Sequence, residues 1–427
     1  MHQYSNYGIG KSFVSVPQPH GGYIDYYSSF GPTWHDYDLK PQISAPGGNI
    51  LSTYPLGQNG GWAIISGTSM ATPYVSGAYA LIKSQFPKAS ITEIKELMQT
   101  TATQIPWIFD PAILSTTAQQ GAGGINVYNA IFSGSIISPG QIKVSDVSRT
   151  EYGTTNITIK NTSNQPKTYV LSHKGAGYSD YILQWMSAGQ VANYGSATFD
   201  TSSLTLSPGA SRTISISIHP PATVSPKDLP IFSGFILITS QNEKYSIPYL
   251  GPPYSLYNTP SLLFQDTGTI LPQMYGYDAS GSLTVNTGFL EIDPAYGFGS
   301  AVAIDQWINE ARIDVLPANT NISATYYAPN TTISAWDGYL PSQATPSSKV
   351  FGYESFGTLV RQKGWTRSLG AYGKDMVVTG DNGAKVTLGK GDYRWLISVL
   401  KVGGTSGVKS DYEIWLGPVV RVIGSLT

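Results

Sequence analysis

The sequence predicts an α/β segment at its N-terminal end followed by all-β domains, and three observations carry that prediction. Long helical periodicity is confined to residues 1 to about 105, whereas from about Gly140 onward apolar residues recur with period two. Charged residues make up only 12% of the chain, against about 25% in an ordinary globular domain. With 46 Gly, 28 Pro and 29 Tyr, the composition is that of turn-rich, tyrosine-rich β structure. At 427 residues the chain exceeds one core, since single cores stop growing near roughly 250 to 300 residues. The expected division is 1–135, 140–251 and 255–427.

Taken in order, the first element is a helix from Ser69 to Phe86. It is rich in small residues (Ala71, Ser76, Gly77, Ala78, Ala80), Val75, Ala78, Ile82 and Phe86 recur near the helical period, and Pro87 ends it. Being apolar nearly all round, it is expected to be buried. Ser90-Ile91-Thr92-Glu93 forms a capping box, in which the Ser90 hydroxyl and the Glu93 carboxylate each satisfy an orphaned N–H. Ile91, Ile94, Leu97 and Met98 then share one face of a second helix, running to about Thr101.

The period-two stretches follow: Ile157 and Ile159, Tyr169 and Leu171, Leu204 and Leu206, then Ile214, Ile216 and Ile218. The turn signals Asn164-Gln165-Pro166 and Ser207-Pro208-Gly209 separate them, with the spacing of an antiparallel sandwich that closes with Phe235 to Ile238 and Tyr245 to Tyr249. Gly251-Pro252-Pro253 reads as a linker. Alternation resumes at Val377 and Val378, turns at Asp381-Asn382-Gly383, and continues through Val386 and Leu388, Tyr393 to Val399, and Tyr412 to Leu416, giving a second β domain. Trp395 and Trp415 on these strands are expected in the core rather than on a glycan-binding face. Residues 260 to 350 show no readable pattern.

Several functions are excluded. The formal net charge is -1 and no Lys/Arg run stands out, so nucleic acid is not a partner. There is no Cys, hence no disulfide framework, thiol nucleophile or thiolate metal site. No ligand cluster is recognisable, and neither metal nor cofactor is assigned. No segment approaches the ~18 apolar residues of a membrane span, and residues 1 to 22 lack the apolar core of ~7 to 15 residues that a signal peptide needs. Asn156, Asn161, Asn321 and Asn330 begin Asn-X-Ser/Thr sequons, a number close to chance in a chain this rich in Ser and Thr.

The chemistry concentrates at Gly67-Thr68-Ser69-Met70-Ala71-Thr72-Pro73. Gly67 permits a tight approach of the backbone, and Ser69 stands at the helix start, where free N–H groups and the positive dipole end meet. Pro73 is expected in the first turn, where its missing N–H costs nothing. A serine so placed is either an N-cap or a nucleophile whose own N–H faces a developing oxyanion.

Gly67 to Pro73 resembles the nucleophile signature of the subtilisin-like serine proteases, and Tyr27 to Thr33, Leu39 to Thr53 and Ser66 to Ser69 agree with that family in order. Together they are similar to the last third of a subtilase catalytic domain, in particular that of large secreted fungal forms and bacterial minor extracellular proteases. Gln42 stands where Asp is frequent, and Tyr74 where His is frequent. The resemblance implies a partial α/β catalytic domain, an incomplete parallel sheet with a central helix. It implies that Ser69 is the acylating nucleophile for protein or peptide substrates, supported by Gly67, Thr68 and Pro73, and that a His base, an orienting Asp and an oxyanion Asn assist it.

The family order is Asp, then His, then Ser. Residues 1–19 contain no Asp or Glu, so neither His2 nor His20 has an acid before it; His20 also lies 49 residues before Ser69, too close. His35 follows Asp25 but sits in the Ser-Ser-Phe-Gly-Pro segment, where the family keeps no catalytic residue. The Asp, His and Asn are therefore expected in an upstream catalytic segment before Met1, and the chain alone is expected not to hydrolyse. Residues 1–105 alone would expose a large apolar face. Gly140 to Gly251 resembles the fibronectin-III-like domain that follows the catalytic domain in related subtilases, and residues 260–427 resemble the C-terminal portion of the fungal proteins. Two readings stand: a secreted serine endopeptidase represented by its C-terminal part, or a non-catalytic binding protein or pseudoenzyme that works through its β domains.

Overall fold

The computed structural model describes residues 5–9, 12–16, 21–33, 37–147, 152–179, 189–258, 273–277, 280–285, 290–293, 298–301, 308–327, 340–342, 344–365 and 376–423. The chain divides into two compact units, Met1–Ser255 and Leu256–Thr427.

In the first unit an antiparallel hairpin, Ile50–Thr53 with Trp62–Ile65, leads into helix α1, Thr68–Gln85. Helix α2, Ile91–Thr100, carries the capping box as expected: Glu93 N donates to Ser90 Oγ at 3.2 Å and Ser90 N to Glu93 Oε2 at 2.7 Å. Two short helices follow, α3 (Thr117–Gln120) and α4 (Val127–Phe132). Ile82 of α1, Ile94 and Met98 of α2 and Ala130 of α4 make one small core.

α1 is not buried all round. Only Ala78 and Ile82 are buried, while Tyr74 is 48% and Leu81 50% exposed. The reason is geometric: α2 and α4 pack against α1, and the helix is too apolar for the cover it receives from the described residues. The expected parallel sheet is likewise reduced. The described strands before Ser135 pair as antiparallel hairpins, and the parallel element is an isolated bridge between Ser44 and Gly124.

The rest of the unit is a two-sheet sandwich. One sheet orders Gln190–Val191, Lys167–Ser179, Ile231–Ser240, Glu243–Gly251 and Ile142–Lys143, with Ser203–Leu206 also paired to Lys167–Ser179. The other orders Ser196–Phe199, Ser211–His219, Thr154–Asn161 and Ser135–Ser138. The period-two residues meet between the sheets: Ile157, Ile159, Ile214, Ile216 and Ile218 face Tyr169, Leu171, Ile236, Ile238 and Ile247. Ser135–Ser138 pairs antiparallel with Thr154–Asn161, so the sandwich includes residues ahead of Gly140, where alternation becomes visible in the sequence.

What joins the helical segment to the sandwich is buried and polar. Thr116 N donates to Gln190 Oε1 at 2.7 Å, Thr116 Oγ1 and Ser233 Oγ lie 3.0 Å apart, Thr117 N donates to Ser233 Oγ at 3.2 Å, and Thr117 Oγ1 to Tyr249 O at 2.8 Å. Leu39, Ala118, Ile231 and Leu250 seal this seam with apolar contact. At its other end Glu243 accepts from Gly134 N (3.0 Å), Lys167 Nζ (2.5 Å) and Tyr245 Oη (2.8 Å).

The second unit is built on a large sheet ordered Leu290–Ile292, Tyr412–Val422, Gly391–Leu400, Ile308–Pro317, Gly357–Trp365, Val377–Thr379 and Lys385–Thr387, with Tyr326–Tyr327 beside Tyr412–Val422. Both faces are covered: Ile313, Val315, Trp395 and Val420 belong to one core and Leu316, Leu396, Ile414 and Leu416 to another. Trp395 and Trp415 are buried, as core residues. Three ion pairs lie along these strands: Arg312–Asp314, Arg361–Glu310 and Arg421–Asp392, at 2.7, 2.7 and 2.8 Å.

Ser233→Ala strands the buried Thr117 N–H and is expected to cost about 1–3 kcal/mol, read from the urea midpoint. Burial works to raise the Glu243 carboxyl, but the Lys167, Tyr245 and Gly134 donors outweigh it and hold it below the usual carboxylate range. A depressed folded value adds stability that is present above the unfolded value of about 4.3 and is lost as pH falls through the folded one. The stability gap between wild type and Glu243→Gln is therefore expected at neutral pH and should close under acid, in paired unfolding titrations.

Candidate active site

The hairpin Ile50–Thr53/Trp62–Ile65 ends at Ser66, and Gly67 is the N-cap of α1, without any side-chain cap. Thr68 and Ser69 are the first two helical residues. An α-helix gives its first-turn N–H groups no intrahelical acceptor, so they and the dipole make the region around Ser69 receptive to negative charge. Ser69 is exposed. Pro73 falls later than expected. It is the sixth residue of α1, past the first turn, and it cannot donate to its i−4 acceptor, the Ser69 carbonyl.

The steric need for glycine falls on Gly47 more than on Gly67. A Cβ at Gly67 would meet Met70 Sδ at 3.6 Å, an ordinary contact, whereas one at Gly47 would meet Gly67 O at 2.8 Å and Ala71 Cβ at 3.1 Å. That closeness allows Gly67 N to donate to Gly47 O at 2.9 Å, fixing the turn before Ser69. Ser66 is held too: Asn49 N donates to Ser66 Oγ at 2.8 Å, and Ser66 Oγ to Asn49 Oδ1 at 3.2 Å. Further along, Thr72 Oγ1 donates to Thr68 O at 2.9 Å.

An open cleft of about 1020 Å³ runs beside this turn, with Asp25, Tyr27, Ile43, Gly67, Thr68 and Thr72 among its walls. Ser69 and Pro73 are not among the residues that line it. Tyr27 Oη donates to Asp25 Oδ2 at 2.7 Å; burial, then the Asp25 carboxylate, push the phenol up to about 12. The tyrosine thus stays neutral, a donor at any physiological pH. Sequence reasoning missed Asp25, Tyr27 and Gly47. The available signals were the Asp-x-Tyr spacing ahead of Ser28-Ser29 and the Gly47-Gly48 pair.

His2, His20 and His35 lie outside the described residues. The two described histidines sit in the sandwich: His173 Nε2 is 2.7 Å from Tyr249 Oη, with its pKa lowered by burial, and His219 Nε2 is 3.3 Å from Thr198 Oγ1. Among the described residues no group of three or more His, Asp or Glu could hold a metal ion. No helix among them is long and apolar enough to cross a membrane.

Residues 13–130 match the Subtilase family, and residues 142–250 match an Fn3-like domain. Residues 13–130 belong to the subtilase family. The subtilase segment brings with it several protease relatives. The chain is 36% identical to the minor extracellular protease Vpr of Bacillus subtilis over 174 residues, covering 39% of this chain and 21% of that protein. It is 49% identical to the subtilisin-like protease SBT3.10 of Arabidopsis thaliana over 76 residues, 17% of this chain and 10% of the relative. The PI-type proteinase of Lactococcus lactis subsp. cremoris aligns over 391 residues at 25% identity, 73% of this chain and 20% of that protein. The chain thus spans about a fifth of the length, or less, of these curated relatives.

Gly47→Ala drives a methyl into the Gly67 carbonyl of the subtilase segment. Overpacking of this kind costs about 1–3 kcal/mol, expected as a lowered melting temperature, whereas Gly57→Ala, which meets nothing within 4 Å, should leave it unchanged.

Proposed function

We propose that the chain is the serine-bearing part of a secreted subtilisin-like endopeptidase, which cleaves proteins or peptides through an acyl-enzyme on Ser69. The single observation that carries this is the placement of Ser69 in the first turn of α1, behind the braced Ser66–Gly67 turn, in the segment that matches the subtilase family. There the Ser69 N–H is free to face the oxygen that becomes negative when Oγ attacks a carbonyl. The extracellular assignment is supported by the minor extracellular protease among its relatives.

Attack by Ser69 Oγ needs a base to take its proton and a carboxylate to orient that base. The described histidines are engaged within the sandwich, and His2, His20 and His35 do not fit the family's Asp, His, Ser pattern, so we assign base, carboxylate and oxyanion amide to a further subtilase segment that covers the exposed side of α1. Without triad partners such a site retains at best ~10³ to 10⁴ over water, and that residue depends on an intact oxyanion hole and cleft.

A fluorophosphonate probe separates the parts of this reading, because it marks a serine only where a base activates it. The 427-residue chain is expected to stay unlabelled, and a form joined to a subtilase segment bearing the Asp and His motifs to be labelled, with loss of label in Ser69→Ala. Labelling of the chain alone overturns its incompleteness. A completed form that hydrolyses peptides but leaves Ser69 unlabelled overturns the nucleophile assignment.

A further inference from the structure

The peptidase reading leaves the sequons unused, and the structure sorts them. In Asn156-Ile157-Thr158 the middle residue is a core isoleucine, so the pleat of Thr154–Asn161 turns Asn156 outward, and it is exposed. Around it the outer face of the four-stranded sheet is polar: Asn156 pairs with Ser215 and Thr158 with Thr213. Asn321-Ile322-Ser323 has the same phase, with Ile322 buried and both Asn321 and Ser323 exposed. Asn161-Thr162-Ser163 has the opposite phase. Thr162 faces solvent and Asn161 points in, with 0% of its surface exposed.

The Asn161 carboxamide is also fully committed. Its Nδ2 donates to Gln165 O at 2.8 Å and to Leu206 O at 3.0 Å; its Oδ1 accepts from Ser163 N at 3.0 Å and from Ser163 Oγ at 2.7 Å. Two donors and two acceptor sites are all an asparagine side chain has. A sugar on that nitrogen would remove a donor and occupy space the fold fills.

We propose that Asn156 and Asn321 are N-glycan attachment sites, and that Asn161 is a structural residue closed to modification in the folded protein. The donor is a lipid-linked oligosaccharide pyrophosphate: asparagine Nδ2 forms the bond to the anomeric carbon, the carbon–oxygen bond to the pyrophosphate breaks, and Nδ2 loses a proton as the lipid pyrophosphate departs. The physiological use of the sites rests on the extracellular reading, because the donor is met during secretion.

The test supplies the route. The full chain carrying Asn330→Gln is secreted from a eukaryotic host behind a foreign leader, with a C-terminal tag whose own sequon reports that the chain met the transferase. Intact mass before and after endoglycosidase should show two glycans beyond the tag. Asn156→Gln and Asn321→Gln should each remove one. Asn161→Gln should lower stability without changing the glycan count in whatever folds; Ser163→Ala, which destroys the same sequon but keeps Asn161, should leave the count at two. A glycan on Asn161 of the folded protein, or a bare Asn156 or Asn321 beside a modified tag, overturns the proposal. Because the leader is supplied, neither result depends on the peptidase assignment.

Discussion

The buried hydrogen bonds of Thr116 and Thr117 with Ser233, Gln190 and Tyr249 are the constraint on which the first unit depends. The helical segment has a small core of its own and an exposed α1, so its order is borrowed from the sandwich. The borrowing reaches the cleft through short links: Gly31 N donates to Ala118 O at 2.7 Å, and Ser44 Oγ to Gln120 O at 2.9 Å. Gly31 and Ser44 both line the cleft beside the Ser69 turn. A sandwich that looks like an appendage in the sequence is thus the footing for one wall of the site.

Much of this fold was legible because burial on one face leaves a pattern. The isoleucines at 157, 159, 214, 216 and 218 alternate with polar residues, since their strands have one wet side and one dry side. The capping box at Ser90 and the start of α1 were legible because caps are local chemistry. Ile308–Pro317, the central strand of the second unit, was not. Both its faces are covered, and Glu310 and Asp314 are buried in ion pairs with Arg361 and Arg312, so its sequence reads as polar when its environment is not. A pairing partner distant in sequence, such as Arg361, leaves no mark on the strand it serves.

The site divides along the same line. The helix start at Ser69 is encoded by its neighbours in the chain and was visible there. The close approach of Gly47 to Gly67 and the Tyr27–Asp25 hydrogen bond depend on how separate loops fold back on α1, and spacing alone does not reveal them. The exposure of α1 ran against its composition: a helix apolar nearly all round predicts burial, and Tyr74 and Leu81 contradict it among the described residues. That mismatch between what a helix is made of and what surrounds it is the physical content of the reading that Ser69 works with a further segment.

The seam between α3 and the sandwich also sets how the two modules can be inherited. Each side presents hydroxyls and amides cut to the other, so a sandwich taken from a different protein would arrive with unmatched polar groups facing Thr116 and Thr117, buried and without water. Swapping such neighbours is a poor route to new domain combinations, and residues across this junction should change in concert over evolutionary time.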